Sequence, residues 1–595
     1  MQEGIITESR KQSASQRFSK LQSVTVADAL FALILTAAAV MRFVELGRLP
    51  LSPTEAESAW SVWKLWQPGQ APLAAHSPAY FTLTSLLTPV LGYSDAIIRL
   101  IPAIFGLALV ALPWWLRRQL GVIGALTASL MLAASPLQAV ASRTAGGEVM
   151  ALFAAMGILV ALVRYQEAGE TRWLYALGAF SGLGLITSPL FYGAAVTLAL
   201  AWLLQSRLGL LTVDSGRRSR PNRGEWSRMA LIAGLIFLGG GTLFLLYPPG
   251  LGATALLPAR WLGQFAGQGN ALDTLTPFIA LGRYELLLLL PGTVAILWAT
   301  LRNHPLGTLC VYWMAAAFLL PLLQRGHIEN ALIITLPGYL LLGAFMNAQL
   351  RNQISRSAWL SWAVAAVLIL LGLLGLANLA LYSRLVVHDP GQIGNLLAAL
   401  LAATAVIVVL ILAASLDLRA VYAGTLISLL FLLAIYSWGT GWWMSHQAAN
   451  DPRERWVTVG TDDDVRLLAA VARDISRQAT GTDTDLDILS SVESAVLRWY
   501  LRDFERVHFV ESVPIGANNA VIITPADSEP AFGGAYKGAD FALFQRAARL
   551  PANEAPDQSE MALMRWWLFH ETPAPFIRER VVLWWRADLA LGQVP

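Results

Sequence analysis

Long apolar windows recur through residues 26–440 of the 595-residue chain, and this recurrence constrains the fold more than any other feature. About thirteen windows approach the roughly 20 residues that an α-helix needs to cross a bilayer. They lie near residues 26–46, 96–116, 120–140, 148–163, 173–187, 189–206, 229–247, 284–301, 306–323, 330–348, 358–381, 394–416 and 420–440. Only 14% of the residues are charged, which is too few for the polar shell of one water-soluble globule. The sequence predicts a polytopic α-helical membrane protein.

Basic residues predict the orientation of these windows. Arg10, Lys11, Arg17 and Lys20 lie in a basic tail over residues 1–25, and later arginines fall in alternate connections between windows. The first window is too long for a signal-peptide core, so we interpret it as a retained span. By the positive-inside rule the N-terminus is cytoplasmic and the protein is a multi-pass protein of the plasma (inner) membrane.

The last 155 residues differ in character from the apolar part. Residues 441–595 contain no window that is long enough to span a membrane, and helical segments alternate there with short apolar strands. This alternation predicts a soluble extracytoplasmic α/β domain. The chain thus divides into the tail 1–25, a transmembrane domain 26–440 with an outer loop 47–95 that carries juxtamembrane helices, and the domain 441–595.

Two composition features exclude other classes of protein. Cys310 is the single cysteine, so an intramolecular disulfide framework is excluded. The net charge is only +3 and the basic residues form short clusters, so we expect no nucleic-acid partner. Membrane lipids are the expected surroundings.

Acidic residues follow the first window directly, in Pro53-Thr54-Glu55-Ala56-Glu57. Carboxylates so close to hydrocarbon are costly unless a site uses them, and Pro53 favours a helix start. Glu55 and Glu57 are two residues apart, so on a helix we expect only one of them to face a pocket. The alternative interpretation is that these acids only stabilise the N-terminal end of the helix dipole.

Further charges are predicted at the same membrane face. Arg99 lies at the outer end of the next window, near its first residue, and Arg143 and Glu148 lie in the next outer turn. A carboxylate beside an arginine suits a general base next to an anion, as sugar transfer from a lipid phosphate requires. We therefore name Glu55, Glu57 and Glu148 as catalytic candidates, and Arg99 and Arg143 as phosphate-binding candidates.

Three more residues are candidates for phosphate binding, each with a plainer alternative. Arg325 and His327 lie at another outer span boundary, where interfacial cations are common, and His76 precedes a short helix that it could cap. No cysteine or histidine spacing of a metal site occurs, so no metal ligands are assigned. The sequence names no cofactor and leaves a divalent cation open.

A family resemblance is carried by the front part of the chain, over about residues 40–165. It resembles membrane glycosyltransferases of the GT-C fold, of the protein O-mannosyltransferase and aminoarabinose-transferase type, and most of all their flippase-associated, Agl23-like branch. The matching steps are Thr54-Glu55, His76-Ser77-Pro78, Gly92-Tyr93-Ser94-Asp95 with Arg99, and Arg143 to Glu148. The segment Leu497–Asp503 also resembles the C-terminal domain of that branch.

This resemblance implies sugar transfer from a polyprenyl-phosphate-linked donor to an acceptor hydroxyl at the outer face, with inversion. A carboxylate of the outer loop 47–95 would act as the general base and arginines would stabilise the leaving phosphate. The acceptor, whether protein, lipid or glycan, is unknown from sequence. One departure matters most, because the usual aspartate of the acidic pair is Thr54 here.

Two alternatives therefore stay open. A catalytically degenerate relative could bind a glycolipid or assist a flippase, as the loss of the aspartate at Thr54 suggests. A transporter is the other alternative, although its sites usually lie at mid-bilayer and these carboxylates lie in loops.

Overall fold

The computed structural model describes residues 25–68, 77–207, 222–266, 271–302, 304–351, 358–384, 390–454, 456–548, 566–571 and 575–589. Nearly all of the predicted basic tail, the candidate His76 and most of a helix predicted near 559–569 lie outside these ranges. The described part divides into a helical domain up to His446 and a C-terminal domain built on one sheet.

Twelve helices form the first part of the helical domain, in the described residues up to Gly263. They are α1 (Val26–Phe43), α2 (Pro53–Leu65), α3 (Pro78–Leu91), α4 (Asp95–Ile98), α5 (Leu100–Ala111), α6 (Arg117–Ala134), α7 (Pro136–Arg143), α8 (Glu148–Ala168), α9 (Thr171–Gly184), α10 (Pro189–Arg207), α11 (Arg223–Gly241) and α12 (Gly250–Gly263). Their starts follow from local chemistry. Ser52 caps α2 by accepting from the Glu55 N–H, while the Glu55 carboxylate accepts from the Ser52 N–H, and Pro53 takes the first helical position.

Seven longer helices complete the domain. They are α13 (Ala271–Tyr284), α14 (Leu286–Arg302), α15 (Pro305–Leu323), α16 (Asn330–Leu350), α17 (Ala358–Arg384), α18 (Pro390–Leu416) and α19 (Leu418–His446). α16 is the central helix, since 89% of its most apolar window is buried inside the protein. Gly124 and Gly343 let α6 and α16 approach closely, because a Cβ at Gly124 would lie 2.7 Å from the Gly343 carbonyl oxygen.

The described helices confirm a multi-pass membrane protein with fewer spans than the predicted windows. Nine of them are long and apolar enough to cross a membrane, or ten if the bent pair Thr274–Tyr284 and Leu286–Arg302 forms one span. Two predicted windows fall on one helical stretch, Leu100–Ala134, and α9 has only 14 residues. Counting apolar windows therefore overestimates the number of spans in two cases. Two windows can belong to one nearly continuous helix, and a window can correspond to a helix that is too short to cross the membrane.

The C-terminal domain combines helices with a mixed six-stranded sheet. Its elements are β1 (Val459–Thr461), α20 (Asp464–Thr480), β2 (Asp487–Ser490), α21 (Ala495–Tyr500), β3 (Arg506–Phe509), β4 (Val521–Pro525), β5 (Tyr536–Ala547) and β6 (Phe576–Arg586). The strand order is β1-β5-β6-β4-β2-β3. β2 pairs in parallel with β3 and β4, and the remaining pairs are antiparallel. The α/β character predicted from sequence is confirmed.

Candidate active-site cavity

One cavity of about 550 Å³ lies where the helical domain meets the C-terminal domain. Its walls come from the first turn of α2, the α7–α8 connection, the starts of α10 and α16, and the segment that follows α19. Five of the residues singled out in the sequence line it, namely Glu55, Glu57, Arg99, Arg143 and Glu148. The chain thus brings together charges that are up to 93 positions apart in a sequence of mostly apolar helices.

Glu55 and Arg99 form a buried ion pair in this cavity wall. Arg99 Nε donates to Glu55 Oε1 at 2.8 Å, and Arg99 Nη2 donates to Glu55 Oε2 at 2.7 Å. The backbone N–H groups of Ser52 and Ala145 each donate to the same carboxylate at 2.9 Å. Glu55 is 4% exposed and Arg99 is 6% exposed. Four donors therefore hold the Glu55 carboxylate in one position.

Those donors also determine the protonation of Glu55. Burial alone would raise the pKa of its carboxyl group, but the Arg99 charge and hydrogen bonds and the two backbone donors outweigh burial and lower the pKa. Glu55 is consequently ionised at neutral pH. A carboxylate with a lowered pKa is a weaker proton acceptor than an ordinary glutamate.

Arg99 and Arg143 also cap backbone carbonyls of the irregular segment after α1. Arg99 donates to the carbonyl oxygens of Leu46, Leu49 and Pro50 at 2.8 to 3.2 Å. Arg143 donates to four more at the end of α1 and beyond it, which are those of Met41, Arg42, Val44 and Glu45. Burial and the nearby Arg99 charge lower the pKa of Arg143 to about 10, so it remains a cation. Most of the donors of both arginines are thus committed to the protein itself.

We call residues 44–51 the first loop, and the C-terminal domain completes its hydrogen bonding. Arg466 of α20 donates to the carbonyl oxygens of Gly47 at 2.8 Å and Arg48 at 2.6 Å. Asn450 Nδ2 donates to the Pro50 oxygen at 2.9 Å, and the Leu51 N–H donates to the Tyr500 hydroxyl at 3.0 Å. Because buried backbone groups need partners, the first loop keeps its irregular shape only with these side chains present.

Asp95 is a second junction between the two domains. Its carboxylate accepts from Arg466 Nη2 at 2.5 Å, from Trp499 Nε1 at 2.9 Å and from the Tyr500 hydroxyl at 2.8 Å. Arg502 Nη2 donates to the nearby Tyr93 carbonyl oxygen at 2.7 Å. The two segments of sequence around Asp95 and Leu497–Asp503 therefore contact each other, and both position the first loop.

Glu57 and Glu148 are the other two predicted catalytic carboxylates, and they line the cavity together with Glu45 and Glu329. Both side chains are half-buried, and both residues lie near helix starts, at the fifth position of α2 and the first of α8. The expectation that only one of Glu55 and Glu57 faces a pocket is wrong, because the cavity borders the first turn of α2 and is lined by residues 52, 54, 55, 57 and 58. Thr54, in the place of the usual aspartate, is exposed and lines the same cavity.

Gly147 allows the tight turn before Glu148. A Cβ at this position would lie 2.4 Å from Ser77 Oγ and 2.4 Å from the Thr187 carbonyl oxygen. We expect Gly147→Ala to destabilise the protein by about 1–3 kcal/mol, as overpacking does. Gly252→Ala is the matched control, since a Cβ there meets nothing within 4 Å. Thermal unfolding in detergent measures both variants, and equal midpoints would contradict the packing argument.

Arg325 and His327 do not line the cavity, whereas their neighbours Gly326, Ile328 and Glu329 do. Arg325 is exposed, and His327 Nδ1 lies 4.0 Å from Glu329 Oε2. Their assignment to phosphate binding stays a prediction, and their side chains lie outside the cavity wall. His76 belongs to the residues that the structure does not describe.

Arg260 is a cavity residue that sequence reasoning missed. It lies on α12, it is half-buried, and its side chain has no ion pair or hydrogen bond within the described ranges. The signal in the sequence is that Arg260 is the only charged residue of Gly250–Gly263. The adjacent Trp261 packs near Tyr192 of α10, with ring centroids 6.3 Å apart. α12 therefore holds Arg260 close to the start of α10.

The start of α10 has the features of an anion site. Ser188 immediately precedes it and is 2% exposed, and its Oγ has no hydrogen-bond partner in the described part of the chain. Three helices that begin at the cavity each carry an acid there, Glu55 on α2, Glu148 on α8 and Glu329 before α16. α3, which the cavity residue Ser77 caps, and α10 have no acid in their first turns. The positive dipole end of α10 is thus without a carboxylate of its own, and the Ser188 hydroxyl beside it has no hydrogen-bond partner among the described residues.

Residues that could hold a metal ion are not grouped in the described chain. It contains no cluster of three or more histidine, cysteine, aspartate or glutamate side chains placed around one point.

Comparison with known proteins identifies the fold. A family model described as dolichyl-phosphate-mannose-protein mannosyltransferase matches residues 75–238. The crystal structure of ArnT from Cupriavidus metallidurans bound to undecaprenyl phosphate is similar, with 15% identity, a TM-score of 0.51, and coverage of 94% of this chain and 99% of that chain. The apo state of the same ArnT aligns at 14% identity and a TM-score of 0.49, over 84% of this chain and 94% of that chain.

No curated protein sequence matches this chain significantly. The family model and the solved structures belong to glycosyltransferases, and the predicted resemblance to GT-C enzymes of the protein O-mannosyltransferase and aminoarabinose-transferase type is confirmed. The narrower assignment to the flippase-associated branch stays a prediction.

Proposed function

We propose that this GT-C chain transfers a sugar from a polyprenyl-phosphate-linked donor to an acceptor hydroxyl, at the outer face of the membrane. The similar ArnT structure was solved with undecaprenyl phosphate, which supports a donor of this chemistry. The observation that carries the proposal is a cavity with carboxylates on one wall and, on another, an arginine without a partner among the described residues, at an open helix start.

The phosphate end of the donor is assigned to Arg260, Ser188 and the start of α10. A lipid phosphate is an anion, and Arg260 offers guanidinium donors that no other described residue uses. Ser188 Oγ has an unused hydrogen-bonding capacity, and the α10 dipole favours negative charge. Together these groups would stabilise the phosphate as it leaves.

The acceptor is activated in this proposal by Glu57. Glu55 is held by four donors, and Glu148 lies at the first position of α8, where the helix dipole stabilises its charged form. Glu57 lies beyond the first turn of α2, in the cavity wall beside Thr54 and Ser58. It would take the proton of the acceptor hydroxyl while the acceptor oxygen bonds the anomeric carbon. The bond from that carbon to the phosphate oxygen breaks, and the configuration inverts.

The sidedness rests on the arginines of the connecting segments. By the positive-inside rule they lie in the cytoplasm with the basic N-terminal tail. The cavity and the C-terminal domain are then extracytoplasmic, where a sugar carried on a lipid in the outer leaflet can enter.

The substitution Arg260→Gln tests whether Arg260 binds the phosphate of the donor. We expect purified Arg260→Gln to bind polyprenyl phosphate roughly ten- to a hundredfold more weakly than the unchanged protein, because a charge-assisted contact is lost. Thermal-shift titration in detergent micelles measures the affinity. Arg302→Gln is the matched control, since that side chain is exposed and does not line the cavity. Equal loss in both variants, or none in Arg260→Gln, would contradict the assignment.

A second candidate function is a lipid-binding accessory protein without transfer activity. The observation that favours it is Thr54, whose hydroxyl stands in the cavity where an aspartate is usual, next to a Glu55 that is fully hydrogen-bonded. Lipid binding without transfer by the unchanged protein would favour this function. Transfer by the unchanged protein excludes it.

A further inference from the structure

Trp456 is the only phenylalanine, tyrosine or tryptophan among the described residues that line the cavity. It belongs to the segment between α19 and β1, and the contiguous residues 456–459 all contribute to the wall. The C-terminal domain thus supplies an aromatic surface to a cavity whose charged residues come from the helical domain. The mechanism proposed above does not use this residue.

The indole of Trp456 is partly exposed, and the rest of it packs against the hydrophobic core. Within the described ranges it makes no ring stacking, no cation–π contact and no hydrogen bond through Nε1. Other tryptophans of the chain are engaged, for example Trp499 with Asp95 and Arg502, and Trp566 with Glu454 and Arg283. The part of the Trp456 indole that lines the cavity is available to a ligand.

The segment that carries Trp456 is held rigidly. Glu454 is 2% exposed and accepts from Tyr284 Oη at 2.6 Å, Trp566 Nε1 at 3.0 Å and Arg283 Nη2 at 3.3 Å. The Val457 N–H donates to the Glu454 carbonyl oxygen at 3.0 Å, which closes a turn around Trp456. A rigid support positions a binding side chain more accurately than a mobile loop does.

The neighbouring backbone is closely packed. Gly460 is the second residue of β1, and a Cβ there would lie 1.7 Å from the Asn450 carbonyl oxygen. Asn450 in turn donates to the Pro50 oxygen of the first loop. The position of Trp456 is therefore fixed relative to the wall that contains Glu55 and Glu57.

We propose that Trp456 is a stacking platform for the sugar ring of the lipid-linked donor. A pyranose or furanose ring has one face of polarised C–H bonds and an edge of hydroxyl groups. The negative face of an indole attracts such C–H bonds, and it shields the apolar face of the ring from water. The cavity carboxylates, Thr458 and Asn450 are hydrogen-bonding partners for the hydroxyl edge.

This inference rests on the proposed function, and its test separates the two. Two ligands are compared on each purified variant, polyprenyl phosphate without a sugar and the same lipid phosphate carrying a hexose. We expect Trp456→Ala to bind the sugar-carrying lipid roughly three- to tenfold more weakly, with unchanged affinity for the sugar-free lipid. Trp456→Phe retains an aromatic face and is expected to keep most of the affinity.

A control variant shows whether the loss of affinity is specific to the tryptophan in the cavity. Trp226→Ala removes a half-exposed tryptophan of α11 that does not line the cavity, and we expect it to bind both ligands normally. Equal weakening of both ligands by Trp456→Ala, or no weakening of either, would overturn the platform assignment. Failure of the unchanged protein to bind sugar-free polyprenyl phosphate would instead overturn the proposed function.

Discussion

Glu57→Gln is expected to lower the rate of sugar transfer by roughly 10²- to 10⁴-fold, the range that general-base catalysis supplies. Glutamine keeps the size of the side chain and its hydrogen bonding, but it cannot accept the proton of the acceptor hydroxyl. The measurement is turnover of a polyprenyl-phosphate hexose by purified protein. Affinity for polyprenyl phosphate is expected to stay unchanged, because the phosphate is assigned to Arg260 and Ser188.

Glu148→Gln is the matched control for this experiment. It removes another half-buried carboxylate of the cavity, at a position where the helix dipole favours its anionic form. We expect a smaller loss of turnover. If Glu148→Gln is inactive while Glu57→Gln transfers sugar normally, Glu148 is the base and the assignment to Glu57 is wrong.

Arg99→Met is expected to reduce the free energy of unfolding by about 3–5 kcal/mol, the usual cost of leaving one partner of a buried ion pair alone. The substitution strands the Glu55 carboxylate at 4% exposure and removes the donors of three first-loop carbonyl groups. Thermal or denaturant unfolding in detergent measures the loss. An ordinary phosphate-binding arginine would show a much smaller effect on stability.

Two further variants test the cause of that loss. Arg48→Met removes another arginine of the cavity wall, but Arg48 is about half exposed and its partner is the exposed Glu45, so little stability is expected to change. The double variant Glu55→Gln with Arg99→Met removes the stranded charge and is expected to recover part of the loss. A single Arg99→Met protein as stable as the unchanged one would contradict the structural role.

The positions of the site residues were predictable to a large extent from sequence. Costly acids at span boundaries and the resemblance around Arg99 and Arg143 led to five residues that line one cavity. The sequence did not predict which of these residues form hydrogen bonds within the protein and which remain available to a ligand. The hydrogen bonds of Arg99 go to carbonyl groups 49 to 53 positions earlier in the chain, and no local pattern encodes such partners. Arg260 was not predicted, because a single arginine in an apolar helix has the same sequence pattern as a cation at the membrane interface.

In the C-terminal domain, too, local sequence patterns predicted some elements and missed others. Its helix Asp464–Thr480 and the short apolar strands were visible as patterns, and they lie within a few residues of the predicted bounds. β5 was missed because its twelve residues bury only Phe541, Ala542 and Leu543, three in a row, so neither an alternating nor a continuously apolar pattern appears. Its strand character comes from pairing with β6, which lies 29 or more residues further along the chain.

The side chains that cap the first loop have a consequence for how the protein is made. The loop emerges early in translation, yet its partners are Arg99, Arg143, Asn450, Arg466 and Tyr500. A nascent chain that has already inserted its helices into the membrane still lacks the last three of these partners. The cavity wall therefore reaches its final shape only after Tyr500 has been synthesised, and a chain terminated before Asn450 carries the acidic residues without the site.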